Sequence, residues 1–128
     1  MIIARTPNDE LFNYAECEEL YNQNKELVGD GSFEDVIKRT DFYSFTIWNN
    51  NELIGCIYYY KRDGSRTYVN AFARRGHHEL NLECLKESLN RRKENVIYAE
   101  TKHKTAILCL YRLGFKKISE NLYEYRRK

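Results

Sequence analysis

The residues best suited to chemistry stand together at positions 74–78, as Arg74-Arg75-Gly76-His77-His78. Guanidinium groups grip phosphate through paired hydrogen bonds. The loop feeds a stretch in which Leu82, Leu85 and Leu89 repeat at i, i+3, i+7, the stripe of an amphipathic helix. A helix N-terminus offers unpaired amides and the positive end of a dipole, so such a loop suits a phosphorylated anion. An exposed structural pair of arginines on a solvated loop is the plain alternative, and it stays open. A metal fits less well, because two adjacent histidines do not easily chelate one zinc ion without further ligands. The cysteines do not supply them. Cys17, Cys56, Cys84 and Cys109 form no C-x-x-C pair and match no zinc spacing. They read as small buried hydrophobes, reduced in a cytosolic chain.

These residues need a frame to hold them. The chain has 128 residues, 42% hydrophobic and 31% charged, the composition of one globular domain over 1–128. Eleven tyrosines point to substantial sheet. The N-terminal apolar run is too short for a signal peptide and no segment has the length of a membrane span, so the expected location is cytoplasmic. The net charge of +2 hides an asymmetry. Residues 1–60 carry 4 Lys/Arg against 11 Asp/Glu, and residues 61–128 carry 17 against 8. A basic half often faces an anion such as a phosphorylated cofactor.

Local signals give the elements. Ile2 to Arg5 reads as a strand. Thr6-Pro7-Asn8-Asp9 opens a helix running to about Tyr21, with Leu11, Tyr14, Ala15 and Glu18 on one face. A loop with Gly29 and Gly31 leads to a second capping signal, Ser32 with Asp35, and a short helix from Phe33 to Arg39. Strands follow at Phe42–Trp48, Leu53–Lys61 and Arg66–Ala73, separated by turns at Asn49-Asn50-Asn51 and Asp63-Gly64. The run Tyr58-Tyr59-Tyr60 belongs to the second of them, with alternate rings on opposite sides. After the basic loop and its helix come a strand at Asn95–Glu100 and a helix marked by Ala106, Ile107, Leu110 and Leu113. Gly114 closes that helix, and a hairpin of Phe115–Ile118 and Leu122–Arg126 follows. The order β, α, α, β, β, β, α, β, α, β, β predicts an α/β domain with a mostly antiparallel sheet flanked by helices.

This order resembles the GNAT superfamily of acetyl-CoA-dependent N-acetyltransferases along almost the whole chain. The strongest local likeness is Ala106-Ile107-Leu108-Cys109-Leu110-Tyr111-Arg112-Leu113-Gly114-Phe115, similar to the family's helix-then-strand segment ending in L-G-F. The resemblance implies acetyl-CoA as co-substrate, held where the loop after the fourth strand carries the pattern V-x-x-x-x-[QR]-x-x-G-x-[GA]. Val69 matches its Val and Arg74 its Gln/Arg, with Arg75, Gly76, His77, His78 and Glu79 completing the loop. His77 and Glu79 stand where the family has small residues, and Glu79 adds a negative charge beside the implied pyrophosphate. His103 matches the family's Asn near the start of the next helix, a further cofactor contact.

The implied catalytic groups also depart from the family. Its acid is a Tyr four residues before the Gly of L-G-F, which here is Leu110. Tyr111 is one residue on, rotated by about 100° on the helix. No carboxylate occurs at Tyr68-Val69-Asn70, where some members carry a basic Glu on the fourth strand. Glu100 and His103 are the alternatives for moving the proton. The resemblance therefore implies an enzyme that acetylates an amine, on a small molecule or a protein, by direct attack in a ternary complex. It implies no metal and no membrane partner, and it allows a homodimer. The runner-up is a catalytically inactive GNAT-like binding or structural protein, of the divergent kind found in bacteriophages. A nucleic-acid module using the basic half ranks last, for want of any RNP, KH or zinc motif.

Overall fold

The computed structural model describes residues 2–5, 9, 12–28, 31–38 and 43–127. Seven strands form one sheet: β1 (Ile2–Arg5), β2 (Tyr43–Asn49), β3 (Glu52–Arg62), β4 (Arg66–Ala73), β5 (Val96–Glu100), β6 (Lys116–Ser119) and β7 (Leu122–Arg126). They run in the order β1-β2-β3-β4-β5-β7-β6. Every neighbouring pair is antiparallel except β4 and β5. The predicted mixed, mostly antiparallel sheet is the one observed. Turn chemistry sets the meander. Asn50 and Asn51 both take positive φ between β2 and β3, as Asp63 and Gly64 do between β3 and β4, the backbone that tight hairpins need.

The sheet is covered on both faces, which is why Leu53 to Tyr60 of β3 are all buried. Alternate side chains serve two cores. Ile57 and Tyr59 join a cluster with Cys84, Leu85, Leu89 and Leu110 from α4 (His78–Arg91) and α5 (Lys104–Leu113). Cys56, Tyr58 and Tyr60 join another, with Cys17, Leu20 and Tyr21 of α1 (Tyr14–Gln23) and Phe33 and Val36 of α3 (Phe33–Ile37). The second core is nearly all aromatic along its floor. Tyr58 stacks on Tyr60 and Tyr60 on Tyr68, each pair 5.8 Å apart. Gly55 makes the β3–β4 contact possible: a Cβ there would sit 2.6 Å from the Phe72 carbonyl oxygen.

The first helix differs from its prediction. Thr6, Pro7 and Asn8 lie outside the described residues. Asp9 forms an exposed bend, and α1 begins only at Tyr14. Asn13 is its cap, with Oδ1 accepting from the Glu16 N–H at 3.1 Å. Its inward face is Cys17, Leu20 and Tyr21 rather than Tyr14, Ala15 and Glu18, and Leu11 is again outside the described residues. The reason is the mass at Tyr21, whose hydroxyl donates to the Gly31 carbonyl (2.7 Å) while its ring meets Phe33 and Phe72. A further short helix, α2 (Lys25–Val28), fills what reads as loop in the sequence. Gly29 of that loop and Arg39 and Phe42 at the predicted boundaries lie outside the described residues. Asn95 and Phe115 flank strands rather than joining them. Among the described residues no helix is long and apolar enough to cross a membrane.

Candidate functional site

The one parallel pair in the sheet opens a gap. β4 and β5 pair at Tyr68↔Tyr98 and nowhere further along. Toward their C-terminal ends the strands part around a cavity of about 550 Å³. Its apolar wall is Val69, Ala71 and Ala73 of β4, Ala99 of β5, Leu85 and Leu89 of α4, and Leu110 and Leu113 of α5. The cavity also reaches the opposite face of the sheet, where Asn24, Asn70, Phe72 and Glu100 line it. A ligand lying in the gap therefore meets both sides of the sheet.

Two helix N-termini point into this space. His77 is the N-cap of α4 and His103 the N-cap of α5, and neither side chain caps its helix. Both line the cavity, with Arg74, Arg75, Gly76 and His78 around the first helix and Thr101, Lys104 and Thr105 around the second. Gly76 turns the chain at φ +87° with open space where a Cβ would be, so the backbone can come close to a bound group. Open amides, two positive dipole ends and nearby cations add up to a site for an anion.

The two arginines have different duties. Arg74 donates from Nε to the Leu53 carbonyl (2.7 Å) and is half-buried, tied to β3. Arg75 is exposed at the mouth and makes no ion pair among the described residues. Glu79 does not line the cavity. Its carboxylate lies against Arg112 of α5, at 3.1 and 3.4 Å, and that guanidinium holds its pKa below the ordinary carboxylate value. The negative charge that the sequence sets beside the loop is thus turned away from it and used to join α4 to α5.

The implied catalytic groups separate in the same way. Glu100 and His103 line the cavity and Tyr111 does not. Tyr111 is half exposed, its ring edge-on to Tyr123 at 5.8 Å on the outer side of α5. Leu110 takes the inward position. Glu100 is held in place by Arg62, with Nη1 3.3 Å from Oε1, while the Arg62 guanidinium lies over the Tyr68 ring at 4.1 Å. Cys109 lines the cavity and is half-buried; burial pushes its thiol up, against a weaker pull from Arg112. Among the described residues no group of three or more His, Cys, Asp or Glu could hold a metal ion.

Sequence reasoning missed Asn24, Asn81, Lys104 and the two threonines. Lys104 carried a readable signal. A cation in the first turn, with no acidic residue there, opposes the helix dipole unless an anion comes to it. Asn81 carried none. It faces the cavity from the first turn of α4, and its Oδ1 is buried without a hydrogen-bond partner. A buried acceptor left empty costs about 1–3 kcal/mol, so this atom fits a ligand donor entering the gap.

No protein-family model matches the chain, and no curated protein matches it. Solved structures do. The N-acetyltransferase PseH of Campylobacter jejuni, in complex with acetyl coenzyme A, superposes with a TM-score of 0.67 at 16% identity, covering 100% of both chains. An aminoglycoside 6'-acetyltransferase of type Ii gives 0.71 at 14% identity, over 98% of this chain and 96% of that one. The GNAT domain of S. lividans PAT gives 0.66 at 11% identity, over 98% and 89%. The described residues have the GNAT fold.

Proposed function

We propose that residues 1–128 act as one acyltransferase domain that moves an acetyl group from acetyl-CoA to an amine. The observation that carries this reading is the gap between β4 and β5, bounded by two helix N-termini without side-chain caps. Structural neighbours support it: PseH is described with acetyl coenzyme A, and another neighbour, AAC(6')-Ib, with coenzyme A and kanamycin. A small-molecule amine is accordingly the acceptor class we favour.

Acetyl-CoA supplies an activated acyl carbon: the amine nitrogen bonds to it as the carbon–sulfur bond breaks, and the proton shed by nitrogen ends on the departing sulfur. The chain's own residues have three tasks. Gly76, His77 and His78 present backbone amides to the pyrophosphate, with Arg75 as the mobile cation and Arg74 as the fixed one. Val69 and the rest of the β4 edge, together with Asn81, line the channel for the pantetheine arm, whose amides can fill the empty Asn81 acceptor. Glu100 and His103 handle the proton at the mouth, where an amine arrives from the Asn24 and Phe72 side. With Leu110 in the inward position α5 offers the cavity no phenol, so most of the rate enhancement comes from positioning and from amides polarising the carbonyl.

The test is thermal unfolding with acetyl-CoA and, separately, with ADP. A ligand at a hundredfold excess over its Kd stabilises the native state by about 2.7 kcal/mol, an upward shift on the order of 10 °C for a chain of this size. Acetyl-CoA should produce it, and ADP should produce clearly less. No shift at millimolar acetyl-CoA would overturn the reading.

A further inference from the structure

The ladder between β3 and β4 decides which amides of β4 look into the gap. Arg74 donates its N–H to the Ile54 carbonyl (2.7 Å), back toward β3. Backbone N–H groups alternate in direction along a strand. Those of Val69, Ala71 and Ala73 therefore point the other way, toward β5. Since β5 pairs with β4 only at Tyr68↔Tyr98, Ala71 carries the first such amide beyond the point where the strands part. That amide is not idle. It donates to Oδ1 of the preceding side chain, Asn70, at 2.8 Å.

A side chain that binds a backbone amide one to three residues on is expected in turns and helix caps, where it competes with regular pairing. In this molecule Asn13, Ser32 and Thr101 act in those settings. Asn70 does so inside a strand, at the vertex of a cavity that it also lines. Its side chain is on the face of Tyr68 and Phe72, away from the apolar wall, and is half-buried. A strand amide that has lost its neighbouring strand would otherwise stand open, and the carboxamide fills the place of an incoming carbonyl oxygen.

We propose that Asn70 is a positioning residue that stands in for the acyl carbonyl. It holds the Ala71 amide while the gap is empty and yields it to the thioester oxygen, and this competition narrows the difference in affinity between acylated and free coenzyme A. The proposal rests on the acetyltransferase reading above. Free coenzyme A has no carbonyl beside its sulfur and leaves the Asn70–Ala71 bond in place. Acetyl-CoA must exchange one neutral hydrogen bond for another and gains little from the amide. Removing the carboxamide ends that competition for acetyl-CoA alone. A stronger acceptor at the same position sharpens it.

The experiment is isothermal titration of the wild type, Asn70→Ala and Asn70→Asp with acetyl-CoA and with free coenzyme A. Retained binding of free coenzyme A shows that each variant is folded. In Asn70→Ala the acetyl-CoA Kd should fall roughly three- to tenfold, the worth of one neutral hydrogen bond, with the coenzyme A Kd unchanged. In Asn70→Asp the preference for acetyl-CoA should shrink. If both variants keep the wild-type ratio of the two constants while binding both ligands, Asn70 has no part in acyl recognition. If wild type binds neither ligand, the acetyltransferase reading falls, and this one with it.

Discussion

Four of the described helices, α1, α3, α4 and α5, begin in two ways. α1 and α3 supply their own caps: Asn13 accepts from the Glu16 amide, and Ser32 and Asp35 form a complete capping box. α4 and α5 begin at His77 and His103 with no side-chain cap at all. The first pair packs into the aromatic core on one face of the sheet, and the second pair opens on the cavity. Where a helix serves only structure, the chain closes its amides with a nearby side chain. Where the amides are left open, they are available to a ligand. The difference separates scaffold from site without any reference to a motif.

The comparison can be broken most forcefully at the cations beside the open ends. Arg74→Ala with Arg75→Ala should weaken acetyl-CoA binding roughly 10- to 100-fold, the loss of charge-assisted hydrogen bonds to phosphate. Arg75→Ala alone should account for most of it, because Arg74 is already committed to Leu53. Equal affinity in the double variant, read by titration calorimetry, would move the anion site away from α4.

A sharper test converts one kind of helix start into the other. His77→Asp gives α4 the cap that α1 and α3 possess. The free protein should gain about 0.5–2 kcal/mol, while acetyl-CoA affinity drops about tenfold because a carboxylate now occupies the amides. The reverse holds at α3. Ser32→Ala should lose about 1 kcal/mol of stability and leave the cofactor Kd where it was. Unfolding in urea with parallel titrations reads both. An unchanged affinity in His77→Asp would show that open amides mark nothing here.

The smallest effect belongs to α5. Tyr111→Phe should lower turnover less than about tenfold, whereas a well-placed general acid contributes on the order of a hundredfold or more. Its ring packs on Tyr123 outside the cavity. A loss above a hundredfold in kcat, with unfolding unchanged, would mean that α5 turns on binding to bring the phenol inward.

Much of the fold is legible because local and tertiary demands agree. The Asn and Asp-Gly turns and Gly114 in left-handed conformation (φ +100°) stand where the sequence reading sets them, and α4 buries Leu85 and Leu89 as expected, with Cys84 and Ser88 beside them while Leu82 is only half-buried. The first helix is less legible, because α1 begins at Tyr14, capped by Asn13, and burial of Tyr21 chooses its face. The site is half legible. Arg75, His77 and His103 announce themselves by type and place. Asn70 and Asn81 do not, since their roles depend on which strand stops pairing and which atom is left without a partner, and one sequence displays neither.

The order of strands also bears on how the chain is made. Residues 2–73 contain β1 to β4 and both of the capped helices. The cavity wall cannot be completed so early. β5 receives its second neighbour only from β7, at residues 122–126. Arg127 then ties off the carbonyls of Leu89 and Glu94 at the far end of α4. During synthesis the meander can form while the later half is still emerging, and β4 must wait with one edge bare. A bare strand edge of this kind is open to pairing with another strand.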